Sequence, residues 1–312
     1  MSVQDSAFAT IETTAAALAT RGYISDRPLA TAVFLAIRLG KPLFLEGESG
    51  VGKTEIAKTL AAIQGSELIR LQCYEGLDIH TALYDWNYPR QMLELRLQEA
   101  RGLDKEQIGV NIFSEPFLLE RPLLRAIRAK GPQQPVLLID EIDRSDTEFE
   151  AFLLELLSDF QVTIPEIGTL RAVQKPIVVL TTNRTRELHD ALKRRCLYHW
   201  IDYPDVKKEA AIVRSRVPGI DSSLATNLAY FMRRLREEDF YKRPGVAETL
   251  DWAEALIALG VGSDLDAEVL QATLGCILKY KSDLDRLPGP GLAALLADAT
   301  EARAVAESPT TR

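Results

Sequence analysis

The sequence predicts an α/β protein in which helices cover a five-stranded parallel sheet and a smaller all-helical domain follows. The first observation is a set of five strand-length apolar runs, separated by segments of helical pattern, which is typical of strands buried on both faces. These runs are Pro42–Leu45, Leu68–Leu71, Val136–Ile139, Ile177–Leu180 and Leu197–Ile201. The second observation is that strand signals stop after Tyr203-Pro204, where an Ala- and Leu-rich helical pattern begins.

These patterns also predict domain boundaries. We expect an αβα domain over residues 1–204, a helical domain over residues 205–300 and a frayed polar tail over residues 301–312. The interval between the second and third strands is too long for one crossover helix. Additional structure is therefore expected within residues 73–135.

Composition and charge narrow the class of protein. With 37 Lys and Arg against 45 Asp and Glu, the 312 residues carry a net charge of −8, which argues against nucleic acid as a partner. No apolar run approaches the roughly 18 residues of a membrane span, and the first residues lack a secretory pattern. Three widely spaced cysteines argue against a disulfide framework. We therefore expect a cytoplasmic protein without a membrane span.

A complete G-x-x-x-x-G-K-[ST] motif lies between the first apolar run and a helical pattern. It consists of Gly47, Glu48, Ser49, Gly50, Val51, Gly52, Lys53 and Thr54. Its glycines allow backbone N–H groups to surround phosphate oxygens, and the following helix adds positive potential at its start. Lys53 would contact the β- and γ-phosphates, and the Thr54 hydroxyl would bind Mg²⁺. The motif therefore predicts a site for a nucleoside triphosphate.

Two adjacent acids follow the buried run Val136–Ile139. Because unpaired carboxylates beside a buried strand are costly, Asp140 and Glu141 are expected to lie near a cation. Asp140 would hold Mg²⁺ through water, and Glu141 would orient and deprotonate an attacking water. Asp143 is expected to cap a local helix rather than to bind metal.

Further polar residues follow the next strand. Asn183 is expected either to hold the attacking water beside the acids or to form an ordinary turn, and we favour the first role. Arg194 and Arg195 precede Cys196 at the end of a short helical segment. At least one of these two arginines is expected to be an ordinary solvated residue.

The order of these motifs over residues 25–290 resembles that of the AAA+ ATPases. The resemblance implies a P-loop αβα sandwich with a helical lid domain, and hydrolysis of ATP with Mg²⁺. It also implies that Arg195 is the arginine finger that completes the site of a neighbouring subunit, with Arg194 as the alternative. Arg243 matches the sensor-2 arginine of this family, although Pro244-Gly245 after it departs from the usual pattern.

Other segments resemble the MoxR branch of this family and, within it, the CoxD-like subgroup associated with maturation of carbon monoxide dehydrogenase. The segments that resemble the MoxR branch are Leu29–Thr54 and Glu120–Leu124, and those that resemble the CoxD-like subgroup are Cys73–Asp78, Tyr84–Tyr88 and Gly245–Trp252. The resemblance implies a homo-hexameric ring, a partner with a von Willebrand factor A domain and a metalloenzyme client. It also implies inserts at about residues 73–100 and 160–173, and the second insert has the pattern of a β-hairpin.

Alternatives remain open. A nucleic-acid-associated AAA+ subunit is disfavoured by the lack of basic stretches, and a non-hydrolysing scaffold is disfavoured by the complete set of catalytic residues. MoxR-type activators of Rubisco or gas vesicles share the preferred pattern. Trp86 and Tyr88 are expected either to pack or to contact a client, and packing is favoured. Cys73 is expected to be buried, and no His/Cys/Asp cluster has the spacing of metal ligands.

Overall fold

The computed structural model describes residues 7–100, 112–287 and 289–307. A strand lies at each of the five predicted apolar runs. The strands are β1 (Leu43–Gly47), β2 (Leu68–Gln72), β3 (Tyr84–Trp86), β4 (Leu118–Glu120), β5 (Val136–Asp140), β6 (Gln161–Ile164), β7 (Gly168–Arg171), β8 (Ile177–Thr182) and β9 (Leu197–Ile201). Five of them form the central parallel sheet, in the order β2-β5-β8-β1-β9. The sheet, its flanking helices and the helical C-terminal part confirm the predicted fold class.

Helices connect these strands and make up the C-terminal part. They are α1 (Ile11–Thr20), α2 (Arg27–Leu39), α3 (Lys53–Gln64), α4 (Ile79–Leu83), α5 (Tyr88–Ala100), α6 (Pro122–Arg128), α7 (Thr147–Asp159), α8 (Asp190–Arg195), α9 (Val206–Arg216), α10 (Ser222–Glu237), α11 (Val246–Ala258), α12 (Ala267–Ile277), α13 (Lys281–Asp285) and α14 (Gly289–Glu307). Aspartate side chains cap many of their N-termini by accepting backbone N–H groups, which fixes where these helices begin. These caps are Asp26, Asp78, Asp146, Asp205, Asp221 and Asp266.

The chain divides into two units. The first comprises Met1–Ala17, Asp26–Glu46 and Thr54–Trp200, and the second comprises Leu18–Ser25, Gly47–Lys53 and Ile201–Arg312. The second unit therefore contains most of the phosphate-loop motif together with the C-terminal helices. The domain limits predicted at residues 204 and 300 remain predictions.

Two fully buried strands form the centre of the first unit. Every residue of β5 and β8 is buried, and their apolar side chains pack with Phe44 and with residues of α6 and α7. The parallel register pairs Gln72 with Asp140, and Glu46 with Thr182. Because the strands run in the same direction, their carboxyl ends bring these polar residues to one edge of the sheet.

The helical residues of the second unit surround Trp252, which is fully buried. Its ring packs against Phe231 with centroids 5.4 Å apart, and its Nε1 donates a hydrogen bond to Thr273 at 2.9 Å. A buried ion pair joins Arg236 to Glu209 through two hydrogen bonds of 2.6 and 2.7 Å. Since buried charges must be paired, this pair fixes α9 and α10 relative to each other.

Two antiparallel pairs lie outside the central sheet. β3 and β4 pair within the long interval between β2 and β5, together with helices α4 to α6. β6 and β7 form the hairpin expected over residues 160–173. The remainder of the first interval, residues 101–111, lies outside the described residues.

The prediction that Asp143 caps a helix is wrong. Asp143 lies in a 3₁₀ turn over Ile142–Arg144, and the cap of α7 is Asp146, whose carboxylate accepts the N–H of Phe149 at 2.8 Å. Asp143 is instead 3% exposed, and its carboxylate accepts the N–H of Thr185, which follows β8. Asp143 and Asp146 have the same side chain and lie three positions apart, and their tertiary contacts determine which of them caps the helix.

The C-terminal helix extends further than the composition predicts. α14 continues through Glu307, so residues 301–307 are helical instead of frayed, and residues 308–312 lie outside the described part. Alanine favours this extension, and Arg303 donates hydrogen bonds to the side chains of Ser223 at 2.8 Å and Asn227 at 2.6 Å. These bonds hold the last turns against α10.

Candidate functional site

The phosphate-loop motif runs from the end of β1 into the first turn of α3. Lys53 is 6% exposed, and its Nζ donates hydrogen bonds to the carbonyl oxygens of Gly47 at 2.7 Å and Glu48 at 2.5 Å. Val51 is also buried, whereas Ser49 and Gly52 are half-buried. The loop thus places a cation at the start of a 12-residue helix, which is an arrangement suited to an anion.

The loop meets the start of α11 through backbone atoms, and both segments belong to the second unit. Gly50 has a φ of 78°, and its carbonyl oxygen accepts the N–H groups of Val246 at 3.0 Å and Ala247 at 3.2 Å. A Cβ added to Gly245 would lie 2.6 Å from the Ser49 carbonyl oxygen. Glycine at positions 50 and 245 therefore permits a contact that a larger residue would prevent.

Asp140, at the end of β5, is 3% exposed, and both of its carboxylate oxygens are hydrogen-bonded. Oδ1 accepts the hydroxyl groups of Thr54 at 3.0 Å and Thr181 at 2.5 Å. Oδ2 accepts Nε and Nη2 of Arg70 at 3.1 and 2.6 Å. The structure therefore brings together Thr54 and Asp140, the two residues that the sequence predicts as Mg²⁺ ligands.

The donor set at this position suits Mg²⁺. Mg²⁺ prefers oxygen ligands, and proteins usually hold it with one or two carboxylates while phosphates and water complete its coordination. A hydroxyl and a carboxylate that lie 3.0 Å apart, Thr54 and Asp140, supply such oxygens at the first turn of α3. The residues present therefore fit the ion that the motif implies.

Glu141 has a rare backbone conformation for a residue with a side chain, with φ 54° and ψ 51°. Its N–H donates to the Thr181 hydroxyl at 3.0 Å. Its carboxylate accepts Nδ2 of Asn183 at 3.2 Å and Nε2 of Gln72 at 3.1 Å, and it pairs with Arg144 at 3.1 Å. Left-handed conformations of this kind cost about 1–3 kcal/mol and cluster at functional sites. The surrounding bonds hold Glu141 in this conformation.

Asp143 fixes the segment that follows β8. Its carboxylate accepts the N–H of Asn183 at 3.4 Å, and both the N–H and the hydroxyl of Thr185, at 2.8 and 2.7 Å. Burial acts to raise the pKa of Asp143, but these hydrogen bonds outweigh it and leave the pKa below its ordinary value. Asp143 therefore positions the backbone of Asn183.

The three arginines predicted for the site are all exposed. Arg194 and Arg195 occupy the last turn of α8, where both are exposed, and neither forms an ion pair within the described residues. Arg243 is exposed in the segment before α11.

Burial and the charge of Glu48 raise the pKa of Tyr203 to about 12, against the opposing charges of Arg236 and Arg243. Arg243 thus lies within electrostatic range of that tyrosine.

The two aromatic residues of the first insert differ in their surroundings. Trp86 is 7% exposed and packs edge-on against Tyr84 and Phe113, with ring centroids 6.0 and 5.3 Å apart. Tyr88, at the start of α5, is 59% exposed. Trp86 is therefore a packed residue, whereas the Tyr88 side chain is accessible to another molecule.

The pKa values of two cysteines, Cys73 and Cys196, are raised. Cys73 is fully buried, as predicted, and burial together with nearby Asp140 raises its pKa to about 12. Burial also raises the pKa of Cys196 to about 12. Within the ranges that the structure describes, no three His, Cys, Asp or Glu side chains are grouped as metal ligands. No described helix has both the length and the apolar character to cross a bilayer.

Sequence reasoning missed the residues of β2 and β8 that hold the acids. Arg70 and Gln72 alternate with apolar residues along β2, so both point to one face of the strand. The alternation was a usable signal, because a parallel register beside β5 places Gln72 next to Asp140. The position of Thr181 beside the acids followed from the end of its strand, but its hydrogen bonds to Asp140 and Glu141 gave no sequence signal.

Part of the chain matches a known protein family. Residues 42–196 match the family described as the AAA domain of the dynein-related subfamily. This segment contains the phosphate loop, the acid pair, Asn183 and both arginines of α8. This part of the chain is therefore similar to the AAA domains of that family.

Individual proteins resemble the chain more distantly. An uncharacterised protein of Staphylococcus epidermidis is 24% identical over 229 residues, which cover 71% of this chain and 78% of that protein. The ATP-dependent protease ATPase subunit HslU of Campylobacter jejuni subsp. doylei is 26% identical over 203 residues, which cover 58% of this chain but only 45% of HslU.

Two solved structures are similar at low sequence identity. A variant of Thermotoga maritima RuvB is 18% identical with a TM-score of 0.46, and the similarity covers 84% of this chain and 70% of that one. A proposed ATPase of Cytophaga hutchinsonii is 15% identical with a TM-score of 0.48, over 95% of this chain and 96% of that one. Similarity at this level gives no information about substrate or partner.

Proposed function

We propose that the chain hydrolyses ATP to ADP and phosphate with Mg²⁺ as cofactor. The observation that carries this proposal is the carboxyl edge of the sheet, where Thr54 contacts Asp140 and Asn183 contacts Glu141. The relative HslU is named as the ATPase subunit of an ATP-dependent protease, which supports ATP as the nucleotide. The predicted roles in binding phosphate, metal and the attacking water each have a residue of suitable chemistry at that edge or in the phosphate loop.

Different residues of the site have different roles in the proposed phosphoryl transfer. Lys53 and the backbone N–H groups of the loop bind the β- and γ-phosphates. Thr54 and Asp140 would hold Mg²⁺, whose charge neutralises the phosphate oxygens. Glu141 accepts a proton from the attacking water, and the Asn183 amide beside it fixes the position of that water.

We further propose that the active form is a homo-oligomeric ring, with six copies as the expected number. Arg195, or Arg194 in its place, would reach the nucleotide of the neighbouring copy and stabilise charge on the γ-phosphoryl group. The exposure of both side chains and their lack of ion pairs within the described residues support this role. Arg243 would act as the sensor-2 residue from the helical domain at residues 205–300.

The biological role that we propose is that of a cytoplasmic MoxR-type chaperone. It would remodel or mature a metalloenzyme client, such as the molybdenum-containing carbon monoxide dehydrogenase, together with a protein that carries a von Willebrand factor A domain. The CoxD-like segments Cys73–Asp78, Tyr84–Tyr88 and Gly245–Trp252 support this proposal. Another MoxR-type activator is the alternative, and a nucleic-acid partner is disfavoured by the net charge of −8.

The ATPase proposal is tested by nucleotide binding and phosphate release on concentrated protein. Lys53→Ala removes the charged donor to the phosphates, so we expect nucleotide affinity to fall by about 10- to 100-fold and turnover to be lost. Lys58→Ala is the matched control, because Lys58 lies on the same helix and makes an exposed ion pair with Glu55. Wild-type affinity in Lys53→Ala would contradict the proposal.

A further inference from the structure

Arg70 is bound to one oxygen of the carboxylate that the sequence predicts to hold Mg²⁺. Its guanidinium group donates twice to Asp140 Oδ2, at 3.1 and 2.6 Å, while two hydroxyl groups bind Oδ1. All of these partners lie in the first unit. The carboxylate is therefore saturated by the protein itself, with a cation on its second oxygen.

The two partners of this ion pair differ in their freedom to move. The Asp140 side chain is 5% exposed and belongs to a fully buried strand, whereas the Arg70 side chain is 52% exposed. Arg70 Nη2 also donates to Gln72 Oε1 at 2.6 Å, a contact that does not involve Asp140. The guanidinium group can therefore leave Asp140 and keep a hydrogen bond, while Asp140 stays in place.

We propose that Arg70 competes with Mg²⁺ for Asp140 and so regulates loading of the metal. The proposal rests on the proposed Mg²⁺–nucleotide site. Two cations at one carboxylate repel each other, and the hydrogen bonds of Arg70 occupy the acceptor directions that a metal-bound water would use. Binding of the metal at Asp140 then requires the arginine to withdraw. Arg70 is a positioning residue in this arrangement, because it acts on Asp140 and not on the substrate.

The competition between Arg70 and the metal is tested with Mn²⁺ as a paramagnetic probe. Mn²⁺ is titrated into protein that is in molar excess over ADP, so that the nucleotide is bound. For Arg70→Gln we expect the dissociation constant of Mn²⁺ to fall about two- to fivefold, the range for an ion pair with a half-exposed partner. Arg70→Lys keeps the charge but loses the planar fork, and it should fall between wild type and Arg70→Gln. Arg125→Gln is the matched control, because its exposed ion pair with Glu67 lies away from Asp140, and it should not change Mn²⁺ affinity.

Unchanged or weaker Mn²⁺ binding in Arg70→Gln would overturn the competition and indicate that Arg70 only supports Asp140. If Arg70→Gln does not fold, the lysine variant decides in the same way, by tighter or by unaltered Mn²⁺ binding. ADP affinity measured with Mg²⁺ present separates the two proposals. Wild-type protein that fails to bind ADP there contradicts the proposed function, whereas normal ADP binding with unaltered Mn²⁺ affinity contradicts only the role of Arg70.

Discussion

The side-chain amide of Asn183 donates a hydrogen bond to the carboxylate of Glu141 over 3.2 Å, and so joins the end of β8 to the end of β5. The backbone of Asn183 is held in turn by Asp143, and Glu141 is held by Gln72 from the other side. The carboxylate therefore lies between two amide donors from different strands. A group held in this way loses little entropy on reaching its reactive position, which is what a general base requires.

Replacement of Glu141 separates binding of nucleotide from its hydrolysis. Glu141→Gln keeps the size of the side chain but removes the proton acceptor, so we expect ATP to bind normally while turnover falls by about 10²- to 10⁴-fold. Fluorescent-nucleotide binding and phosphate release measure the two quantities on one sample. Glu166→Gln, in the exposed turn of the β6–β7 hairpin, is the control. Near-normal turnover in Glu141→Gln would exclude Glu141 as the base.

The proposed arginine finger is tested by mixing variants. Arg195→Ala copies keep an intact acid pair, and Glu141→Gln copies keep an intact finger, so their mixture should recover part of the activity that each lacks alone. The expected loss in pure Arg195→Ala is about 10³-fold or more. Phosphate release over a series of mixing ratios measures the recovery. No recovery at any ratio would count against action between copies, and the same series with Arg194→Ala decides which arginine acts.

The contact between Gly50 and Gly245 predicts a localised loss of stability. In Gly245→Ala the added Cβ would lie 2.6 Å from the Ser49 carbonyl oxygen and 2.8 Å from the Gly50 Cα, both of which are backbone atoms. We expect the free energy of unfolding to fall by about 1–3 kcal/mol, as for other overpacked sites. Gly262→Ala is the control, because nothing lies within 4 Å of its added Cβ. Denaturant unfolding compares the two variants, and equal stabilities would argue that the contact is not maintained in solution.

Asp143 makes stability depend on pH in the acid range. The pKa of Asp143 is lower in the folded chain than its ordinary value, so its contribution is fully present above the unfolded pKa of about 4. That contribution is lost as the pH falls from about 4 through the folded pKa. Asp143→Asn should therefore be less stable than wild type at pH 7, by about 1–3 kcal/mol for the lost charged hydrogen bonds. The difference between the two proteins should shrink below pH 4.

Urea unfolding at a series of pH values measures this difference. Asp159→Asn at the end of α7 serves as the control, because no hydrogen bond or ion pair of its side chain is seen among the described residues. A gap between wild type and Asp143→Asn that stays constant from pH 7 to pH 3 would contradict the assigned role.

The strands and the phosphate loop were predictable because their signals are local. Short apolar runs such as Val136–Ile139 are typical of buried strands, and the spacing of the loop glycines is a property of eight consecutive residues. The hairpin over residues 160–173 was predictable for the same reason. These features depend on short segments, and distant contacts do not alter them.

The partners of the acids depend on distant contacts. Arg70 and Asp140 are separated by 70 residues, and they meet only because β2 lies beside β5 in a particular register. The helix cap is Asp146 instead of the predicted Asp143 for the same reason, since either carboxylate suits a helix start. A single sequence contains the residue types for these contacts but not the register that selects among them.

The left-handed backbone conformation of Glu141 is relevant to which type of residue occupies position 141. Glycine adopts a φ of 54° without steric conflict, whereas glutamate does so against its intrinsic preference. Folding alone would thus favour a smaller residue there, and the chain tolerates a conformational penalty to keep an acid at the end of β5. In the proposed site, position 141 is therefore one where the stability of the fold and the chemistry of an acid have opposite requirements.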